Sequence, residues 1–443
     1  MSLGSKLQGL GLKGLSRLAG LGVMDKPETR ARVTKFLSRA SHAGFQAAVV
    51  MNRPFTAARK LLKPLRPAHV AAPDLFDLTP TDEQAMVVEA MQQFASGALR
   101  PAASEANEAC GATKELLAQA AELGIAAMNV PDELGGAATD RPVVTNALIA
   151  EALAHGDMGL ALACLSAPSV ATALVDFGSA AQQSQYLPAF IGDKPPAAAI
   201  AVMEARPLFN PFALQTTAKP YKGGFLLEGE KHLVATAANA ELFIVAAADD
   251  AGAPGLYLVE SSAFGLEIAP QPSMGLRAGN LGTLRFKRVK LPAEAKLGGE
   301  ALGGENGADY ADFIALSRMA WSALAVGTTQ AVLDYVIPYA NEREAFGEPI
   351  SHKQSVAFMI ANIGIELEGM RLALWRAASL AAAGKPYARE TAIARSLCAR
   401  YGMRAGSDGV QILGGHGFVK EHPVERWYRD LRAIALMEGG VML

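Results

Sequence analysis

A change in the spacing of apolar residues divides this chain more sharply than any other feature. From 79 to 193 apolar residues recur at helical spacing, with helices expected at Val143–Leu153 and Ala167–Phe177. From about Ala197 onward, short apolar runs between turn residues predict several short strands, in a small β-barrel or sandwich. After Ala308 the helical spacing returns and continues to the end. The order restricts the chain to an α+β fold in which a sheet domain separates two helical domains.

The first 75 residues form a separate, basic segment. They contain thirteen Lys and Arg residues and three acids, whereas the whole chain of 443 residues has 41 basic and 43 acidic residues. Leucines on one helical face, with basic residues beside them, favour an amphipathic helix, so we expect residues 1–70 to contact a membrane surface or an acidic partner. Six glycines between positions 4 and 22 instead favour a poorly ordered arm. The absence of acids from residues 1–24 also suits a mitochondrial targeting sequence.

Several kinds of chemistry have no support in the sequence. The three cysteines, Cys110, Cys164 and Cys398, lie far apart, so no disulfide framework is expected. The seven histidines show no metal-ligand spacing, and no metal site is predicted. The basic segment lacks interleaved aromatic residues, so nucleic acid is not an expected partner.

The C-terminal third carries the most informative motifs. They are, in order, Arg343-Glu344-Ala345-Phe346-Gly347-Glu348-Pro349 followed by Gln354, Gln411-Ile412-Leu413-Gly414-Gly415-His416-Gly417-Phe418, Arg429-Asp430 and Glu438-Gly439-Gly440. This ordered set resembles the acyl-CoA dehydrogenase family, whose pattern is R-x-x-F-G-x-P with a following Gln, Q-x-x-G-G-x-G-[FY], R-D and E-G-T. Upstream matches, such as Met274-Gly275-Leu276-Arg277 to M-G-x-R, extend the resemblance over about residues 78–443.

The resemblance implies an acyl-CoA dehydrogenase-like fold. Its parts would be a basic N-terminal extension (1–75), an N-terminal helical domain (76–195), a central β-barrel (196–303) and a C-terminal four-helix bundle (304–443). Relatives continue with one more helix after E-G-T, whereas this chain ends at Leu443. The resemblance also implies a homodimer or homotetramer. We expect a cytoplasmic location, peripheral to the inner membrane through the basic segment, or the mitochondrial matrix if the source is eukaryotic.

The resemblance further implies a reaction. Members remove the α proton of an acyl-CoA and pass the β hydride to FAD, forming the trans-2-enoyl-CoA, with electrons then passed to an electron-transfer flavoprotein. The base is the Glu of E-G-T, which is Glu438 here, and its backbone N–H is one donor to the developing enolate. Some relatives place the base before an earlier arginine that matches Arg318, but Ser317 cannot serve. Taken alone, Glu438 would more readily be interpreted as an exposed residue that caps a loop before glycines, and the surrounding set of motifs favours the base.

Other matched positions receive roles from the resemblance. Arg343 would pair with the FAD pyrophosphate of a neighbouring subunit, and Phe346 would pack near the adenine. Plainer alternatives are a helix salt bridge for Arg343, core packing for Phe346, solvent-facing amides for the glutamines and a helix-ending turn for the glycines. Further expected FAD contacts are Gln354, Gln411, Gly414, Gly415, Met203, Ala235, Thr236 and Gly440, and expected substrate contacts are Arg318, Phe209 and Gly439.

The β domain departs from the family pattern. The motif T-E-P-x-x-G-S-D reads Met203 to Asn210, with Met203 for the Thr and Phe209 for the Ser. Neither side chain donates a comparable hydrogen bond. The motif W-[IV]-[ST]-N reads Leu233 to Thr236, so Ala235 replaces the hydroxyl partner of flavin N5. Thr236 could replace it only through a bulge, since a one-residue shift turns a strand side chain to the other face.

Three functions therefore remain open. The first is an FAD-dependent acyl-CoA dehydrogenase, supported by the C-terminal motifs. The second is a flavin oxidase or monooxygenase of the same fold, suggested by the altered β-domain residues. The third is a non-catalytic scaffold member of the family, suggested by the same losses together with the basic segment.

Overall fold

The computed structural model describes residues 79–138, 141–192, 194–299 and 308–439. The described residues all lie in one compact unit, Phe76–Leu443. The expected membrane contact of residues 1–70, the FAD contact of Gly440 and the chain end all lie outside the described residues. They stay predictions.

Helices make up the first part of the described chain. They are α1 (Asp82–Phe94), α2 (Arg100–Ala109), α3 (Lys114–Glu122), α4 (Val143–Gly156), α5 (Met158–Phe177) and α6 (Ala180–Phe190). Thr81 caps α1, because its side chain accepts the Gln84 amide while the Gln84 side chain accepts the Thr81 amide. Asp157 caps α5 by accepting the Leu160 amide at 3.0 Å. Local capping thus sets where both helices begin.

Helix α5 is apolar along most of its length. Its 20 residues and mean hydropathy of 1.8 are sufficient, by length and composition alone, for a membrane span. However, 61% of that stretch is buried inside the protein, and α5 packs against α4, α6 and strand β1 (Ala198–Ala201). We therefore assign α5 as a core helix.

The middle part is one seven-stranded sheet. Its further strands are β2 (Thr217–Tyr221), β3 (Gly224–Val234), β4 (Leu242–Ala248), β5 (Pro254–Glu260), β6 (Leu266–Pro270) and β7 (Gly282–Pro292). The strand order is β1-β4-β2-β3-β7-β6, and β5 pairs with β4. Apolar runs predict five of these strands but miss β2 and β6, because most of their side chains are at least partly exposed.

The last part is again helical. It contains α7 (Ala308–Glu342), a hairpin of β8 (Glu344–Ala345) and β9 (Glu348–Pro349), then α8 (Gln354–Ala382), α9 (Ala388–Leu397), α10 (Met403–Leu413) and α11 (Val424–Asp430). A π-helical stretch, Cys398–Gly402, joins α9 to α10. Helix α7 has 35 residues and contacts α4, α5, α8, α9 and α10. It therefore links the first helical part to the last.

Two of the sequence motifs meet between the sheet and α11. The Leu276 amide donates to Asp430 Oδ1 at 2.6 Å, and Arg429 Nη1 donates to the Met274 carbonyl at 2.7 Å. A Cβ on Gly275 would lie 2.5 Å from the Arg429 carbonyl oxygen, which requires glycine there. Burial, together with the nearby Asp157 charge, raises the pKa of Asp430 to about 7. The M-G-x-R and R-D motifs thus join two domains.

Candidate active site

Glu438 is a buried carboxylate in the turn after the last described helical segment. Its side chain is 5% exposed. Oε1 accepts hydrogen bonds from Ser317 Oγ at 3.1 Å and Trp321 Nε1 at 3.3 Å. Both donors come from one face of α7, because residues four apart on a helix lie on the same side. Oε2 is buried and has no partner among the described residues. An acceptor left open in this way suits a group that takes a proton from a ligand.

The surroundings of Glu438 shift its protonation. Burial raises the pKa of the Glu438 carboxyl above its ordinary value. The hydrogen bonds from Trp321 and Ser317, with the charges of Arg395 and Arg318, act in the opposite direction. A raised pKa makes the carboxylate a stronger base, which an α proton beside a thioester requires.

Two arginines hold the backbone around Glu438. Arg318 donates from Nε at 3.1 Å and from Nη2 at 2.7 Å to the Glu438 carbonyl. Arg395 Nη2 donates to the carbonyls of Met437 and Gly439. Arg318 is thus not a free surface charge. The family motifs do not include Arg395. The sequence nevertheless contains a signal for its burial, because its helical spacing puts it on one face with residues that are buried in the structure: Thr391, Ala394 and Cys398.

A loop from the sheet domain packs directly against this turn. Gly439 has φ of 99°, and a Cβ there would lie 2.7 Å from Pro211 Cδ and 3.1 Å from the Phe209 carbonyl oxygen. Phe209 is 4% exposed. The structure thus brings Phe209, Gly439 and Arg318 together beside Glu438, and glycine at 439 is required by both backbone and space.

A buried ion pair holds the start of that loop. Lys231 Nζ contacts Glu204 Oε1 at 2.9 Å and donates to the Val202 carbonyl at 3.0 Å. Burial lowers the pKa of Lys231 to about 8. Burial acts to raise the pKa of Glu204, but the Lys231 charge and backbone amides bring it below its ordinary value. The pair fixes the chain next to Met203, which is 8% exposed.

A β-bulge places Ala235 and Thr236. Along β3, Lys231 pairs with Leu284 and Val234 pairs with Gly282, so β3 has one extra residue there. Leu233 within the bulge has φ of 53°. The Thr236 hydroxyl donates to Ser166 Oγ on α5 at 3.0 Å, and the Ser166 hydroxyl donates to the Ala198 carbonyl. The bulge that Thr236 would need is present, but its hydroxyl proton already has a partner.

A cavity of about 480 Å³ is linked to the Glu438 turn through Ser317, while no residue of the turn itself lines it. Its walls are faces of α4, α5 and α7, with the chain between 125 and 142 closing one side. Ser317 lines the cavity and also donates to Glu438. Most of the wall is apolar, while Arg141 and Asp176 form an ion pair of 2.9 Å at another part of it. Asp312 on α7 also contacts Arg141, at 3.2 Å. The cavity therefore extends from Ser317, the residue that donates to Glu438, to the Arg141–Asp176 ion pair.

The remaining predicted FAD residues lie on an exposed surface. These residues are Arg343, Phe346, Gln354, Gln411, Gly414 and Gly415. The Arg343 guanidinium makes no ion pair with a described residue, and the Phe346 ring is 95% exposed rather than core. The end of α7 meets the glycine turn, since Tyr339 Oη donates to the Leu413 carbonyl at 3.3 Å. An unpaired guanidinium, an exposed ring and an open glycine turn suit a dinucleotide, so these residues fit FAD.

Comparison with known proteins decides the family. Three family models cover most of the described chain: the acyl-CoA dehydrogenase N-terminal domain (81–194), middle domain (199–289) and C-terminal domain (307–440). The chain belongs to the acyl-CoA dehydrogenase family. This confirms the predicted family and fold class. Acyl-CoA dehydrogenases are FAD-dependent oxidoreductases and are typically homo-oligomers.

Individual relatives agree with this family. The rat mitochondrial short/branched chain specific acyl-CoA dehydrogenase is 30% identical over 366 residues, which covers 81% of this chain and 83% of that protein. The solved structure of butyryl-CoA dehydrogenase from Megasphaera elsdenii has a TM-score of 0.76 at 27% identity and covers 83% of this chain and 97% of that one. An FAD complex of PigA gives a TM-score of 0.75 at 27% identity, covering 83% and 96%.

Proposed function

We propose that this acyl-CoA dehydrogenase converts an acyl-CoA thioester to the trans-2-enoyl-CoA and passes the electrons to an electron-transfer flavoprotein. The observation that carries the proposal is Glu438, a buried carboxylate whose Oε2 has no partner among the described residues. It is held by two residues of α7, one of which lines the neighbouring cavity. This arrangement supports Glu438 as the base for a ligand bound in that cavity.

The chain's own residues supply the proton chemistry. Glu438 Oε2 accepts the α proton, and the electron pair of that C–H bond forms the new double bond as a hydride leaves the β carbon. FAD, when bound, supplies the acceptor for that hydride. Ser317 and Trp321 keep the carboxylate oriented by donating to Oε1. Its raised pKa suits a base that must accept a weakly acidic proton.

The cavity is proposed to hold the acyl chain. Its lining on α5 runs from Leu165 to Phe177, which spans about 18 Å at 1.5 Å per residue. An extended chain advances about 1.2 Å per bond, so a straight chain of about a dozen carbons fits that length. We therefore propose longer substrates than the short/branched-chain and butyryl substrates in the names of the relatives.

The FAD surface is proposed to serve a neighbouring copy of the chain. Ser317 lies on α7 and Arg343 directly follows its last residue, so the two are 26 residues apart, about 39 Å along the helix axis. One extended FAD molecule cannot reach from the Glu438 turn to Arg343 along that distance. Phe358, Ile365 and Leu372 form an exposed apolar stripe on α8 at seven-residue spacing, with exposures of 59%, 70% and 52%. A homo-oligomer that covers this stripe would bring Arg343 of one copy to the FAD of another.

Anaerobic reduction of the bound flavin tests the proposal. Purified protein mixed with acyl-CoAs of four to sixteen carbons is expected to lose its flavin colour and form the trans-2-enoyl-CoA. Glu438→Gln is expected to keep FAD and to lose reduction by several orders of magnitude, because an amide cannot accept the proton. No reduction by any substrate, with FAD bound, would contradict the proposal. Protein that binds no FAD would instead support the scaffold function.

A specific observation keeps an oxidase as the second candidate. Met203 and Ala235 occupy positions where relatives place hydroxyl groups, and the Thr236 hydroxyl donates to Ser166. Changed hydrogen bonding around a flavin alters its reactivity toward oxygen. Substrate-dependent hydrogen peroxide in air, at the rate of flavin reduction, would favour the oxidase. Slow reoxidation by air and fast reoxidation by an electron-transfer flavoprotein would favour the dehydrogenase.

A further inference from the structure

The backbone carbonyl groups of Glu438 and its two neighbours all accept hydrogen bonds from two arginines. Arg318 holds the carbonyl of Glu438 itself, while Arg395 Nη2 holds those of Met437 and Gly439. Glu438 has φ of 57°, a left-handed backbone that is unfavourable for a non-glycine residue. A strained residue keeps such a backbone only when its surroundings hold it there. The two arginines are the groups that do so.

Arg395 is an unusual choice for purely structural support. Its side chain is 3% exposed, and its Nε and Nη1 are buried without a partner among the described residues. Burial, followed by repulsion from Arg318, lowers its pKa to about 10. A buried cation with unpaired donors is destabilising. An apolar residue of similar volume would serve the fold at lower cost, which indicates a role beyond packing.

The direction of these hydrogen bonds determines where the Glu438 amide points. No described peptide bond is cis. In a trans peptide the carbonyl and the following N–H point to opposite sides. The Met437 carbonyl points at Arg395, so the Glu438 N–H points away from it. That N–H makes no hydrogen bond to another described residue. It is therefore open to donate a hydrogen bond to a ligand oxygen on the side opposite Arg395.

We infer that Arg395 is the positioning residue of this active site, which orients the Glu438 amide toward the thioester oxygen and keeps the Glu438 carboxylate charged. The inference rests on the proposed function, because it assigns that amide to the developing enolate. Arg395 touches neither the substrate nor the cofactor in this role. It acts through the two carbonyls that flank the base and through its positive charge.

The charge effect is separate from the hydrogen bonds. Glu438 is buried, so its charged form depends on the nearby cations Arg395, Arg318 and Lys231, and the Tyr310 hydroxyl also interacts with it. Arg395 lowers the Glu438 pKa more than Arg318 does. Removing the Arg395 charge raises the Glu438 pKa further. The base then becomes protonated, and inactive, at a higher pH than in the wild type. A residue with only a packing role would not move this pH dependence.

Proton exchange at the α carbon tests the inference without any transfer of electrons. The probe is 3-thiaoctanoyl-CoA, whose β position is sulfur and carries no hydrogen to transfer. Incorporation of solvent deuterium at the α carbon is followed by mass spectrometry, at several pH values, with the FAD-loaded wild type, Glu438→Gln, Arg395→Gln and Arg395→Lys. Arg389→Gln is the matched control, since Arg389 lies on the same helix and is 78% exposed.

Arg395→Gln is expected to slow exchange about 100-fold, the effect of displacing one donor from a developing oxyanion. The acid limb of its pH profile, the range in which exchange slows as the pH falls, is expected to move to higher pH. Arg395→Lys keeps the charge but cannot hold two carbonyls in the same way. It should keep the wild-type acid limb while exchanging more slowly, and it also serves if Arg395→Gln fails to fold. Arg389→Gln should match the wild type.

The outcomes separate the two proposals. No exchange by the wild type would overturn the proposed function. Exchange by the wild type and none by Glu438→Gln, with wild-type rates for Arg395→Gln, would overturn only the inference about Arg395. Equal losses in Arg395→Gln and Arg395→Lys, with unchanged acid limbs and lowered melting temperatures in both, would show a packing role and would also overturn it.

Discussion

At the scale of single residues, Glu438 combines three features that each oppose folding. It is a buried carboxylate, one of its oxygens has no partner among the described residues, and its backbone has φ of 57°. Sites that bind or transform a ligand commonly keep such unfavourable features, because they are useful only when the ligand is present. Two predictions follow from this one side chain.

Replacing Glu438 with Gln is expected to stabilise the FAD-free protein. Burial raises the carboxyl pKa, so the fold favours the protonated form and loses stability as the pH rises through the folded-state pKa. Glutamine does not ionise, so the variant does not lose this stability as the pH rises. The melting temperature of Glu438→Gln should therefore exceed that of the wild type by a margin that grows from pH 5 to pH 8. A constant or shrinking margin would show that the carboxylate is not destabilised by burial.

Replacing Trp321 with Phe is expected to shift the pH dependence of flavin reduction. The indole N–H donates to Oε1 at 3.3 Å and stabilises the charged carboxylate. Its loss raises the Glu438 pKa, so the acid limb of the rate should move to higher pH while the rate at high pH falls little. Trp375→Phe is the matched control, because its indole donates to Glu151 instead. Equal profiles for both variants would contradict the assignment.

At the scale of helices and strands, the cavity is a product of small residues on facing helices. Ala147 on α4 and Ala173 on α5 both line it, and each is at most 5% exposed. Alanine leaves space where a larger side chain would fill the gap between packed helices. The accessible acyl length is therefore set by these helix faces and not by a motif.

Replacing Ala173 with Phe is expected to shorten the accepted acyl chain. The ring would enter the cavity and occupy the part near Asp176. The kcat/KM for dodecanoyl-CoA should fall at least tenfold, about 1.4 kcal/mol, while that for butyryl-CoA stays within a factor of about two. The butyryl-CoA rate is the internal control for folding. A parallel loss for both substrates would mean that the cavity does not hold the chain.

The sequence predicts the elements better than it predicts their connections. Apolar spacing and capping residues are local, so the starts of α1 and α4 and five of the strands are readable from the sequence. Strands β2 and β6 are not, because they are stabilised by pairing with β3 and β7 more than by their own burial. Glu438 and Arg318 follow from motifs. Arg395 and the cavity do not, because each depends on which helix faces meet.

At the scale of the whole molecule, α7 determines the spacing of the two functional regions. Ser317, in the first half of α7, donates to Glu438, and Arg343 directly follows the last residue of α7. The exposed stripe on α8 lies within the same helical domain. A single copy thus presents the proposed base at one place and the proposed dinucleotide surface at another.

Replacing Ile365 with Asp is expected to dissociate the oligomer. Ile365 is 70% exposed, so the change should not disturb folding of one copy. A charge in the centre of an apolar interface opposes association. Light scattering should show a smaller particle, and FAD should be lost on gel filtration. Met86→Asp is the control, since Met86 is 71% exposed on α1, away from the stripe. An unchanged particle would place the interface elsewhere.

The length of α7 also has a genetic consequence. If Arg343 from one copy contacts the FAD beside Glu438 of another, two inactive variants can complement each other when they are expressed together. Arg343→Gln and Glu438→Gln, each inactive alone, would form mixed dimers in which one site contains both intact residues. Random pairing then restores about a quarter of the wild-type activity. Co-expression of the two variants, compared with either one, would measure that recovery, and no recovery would mean that each site is built from one chain.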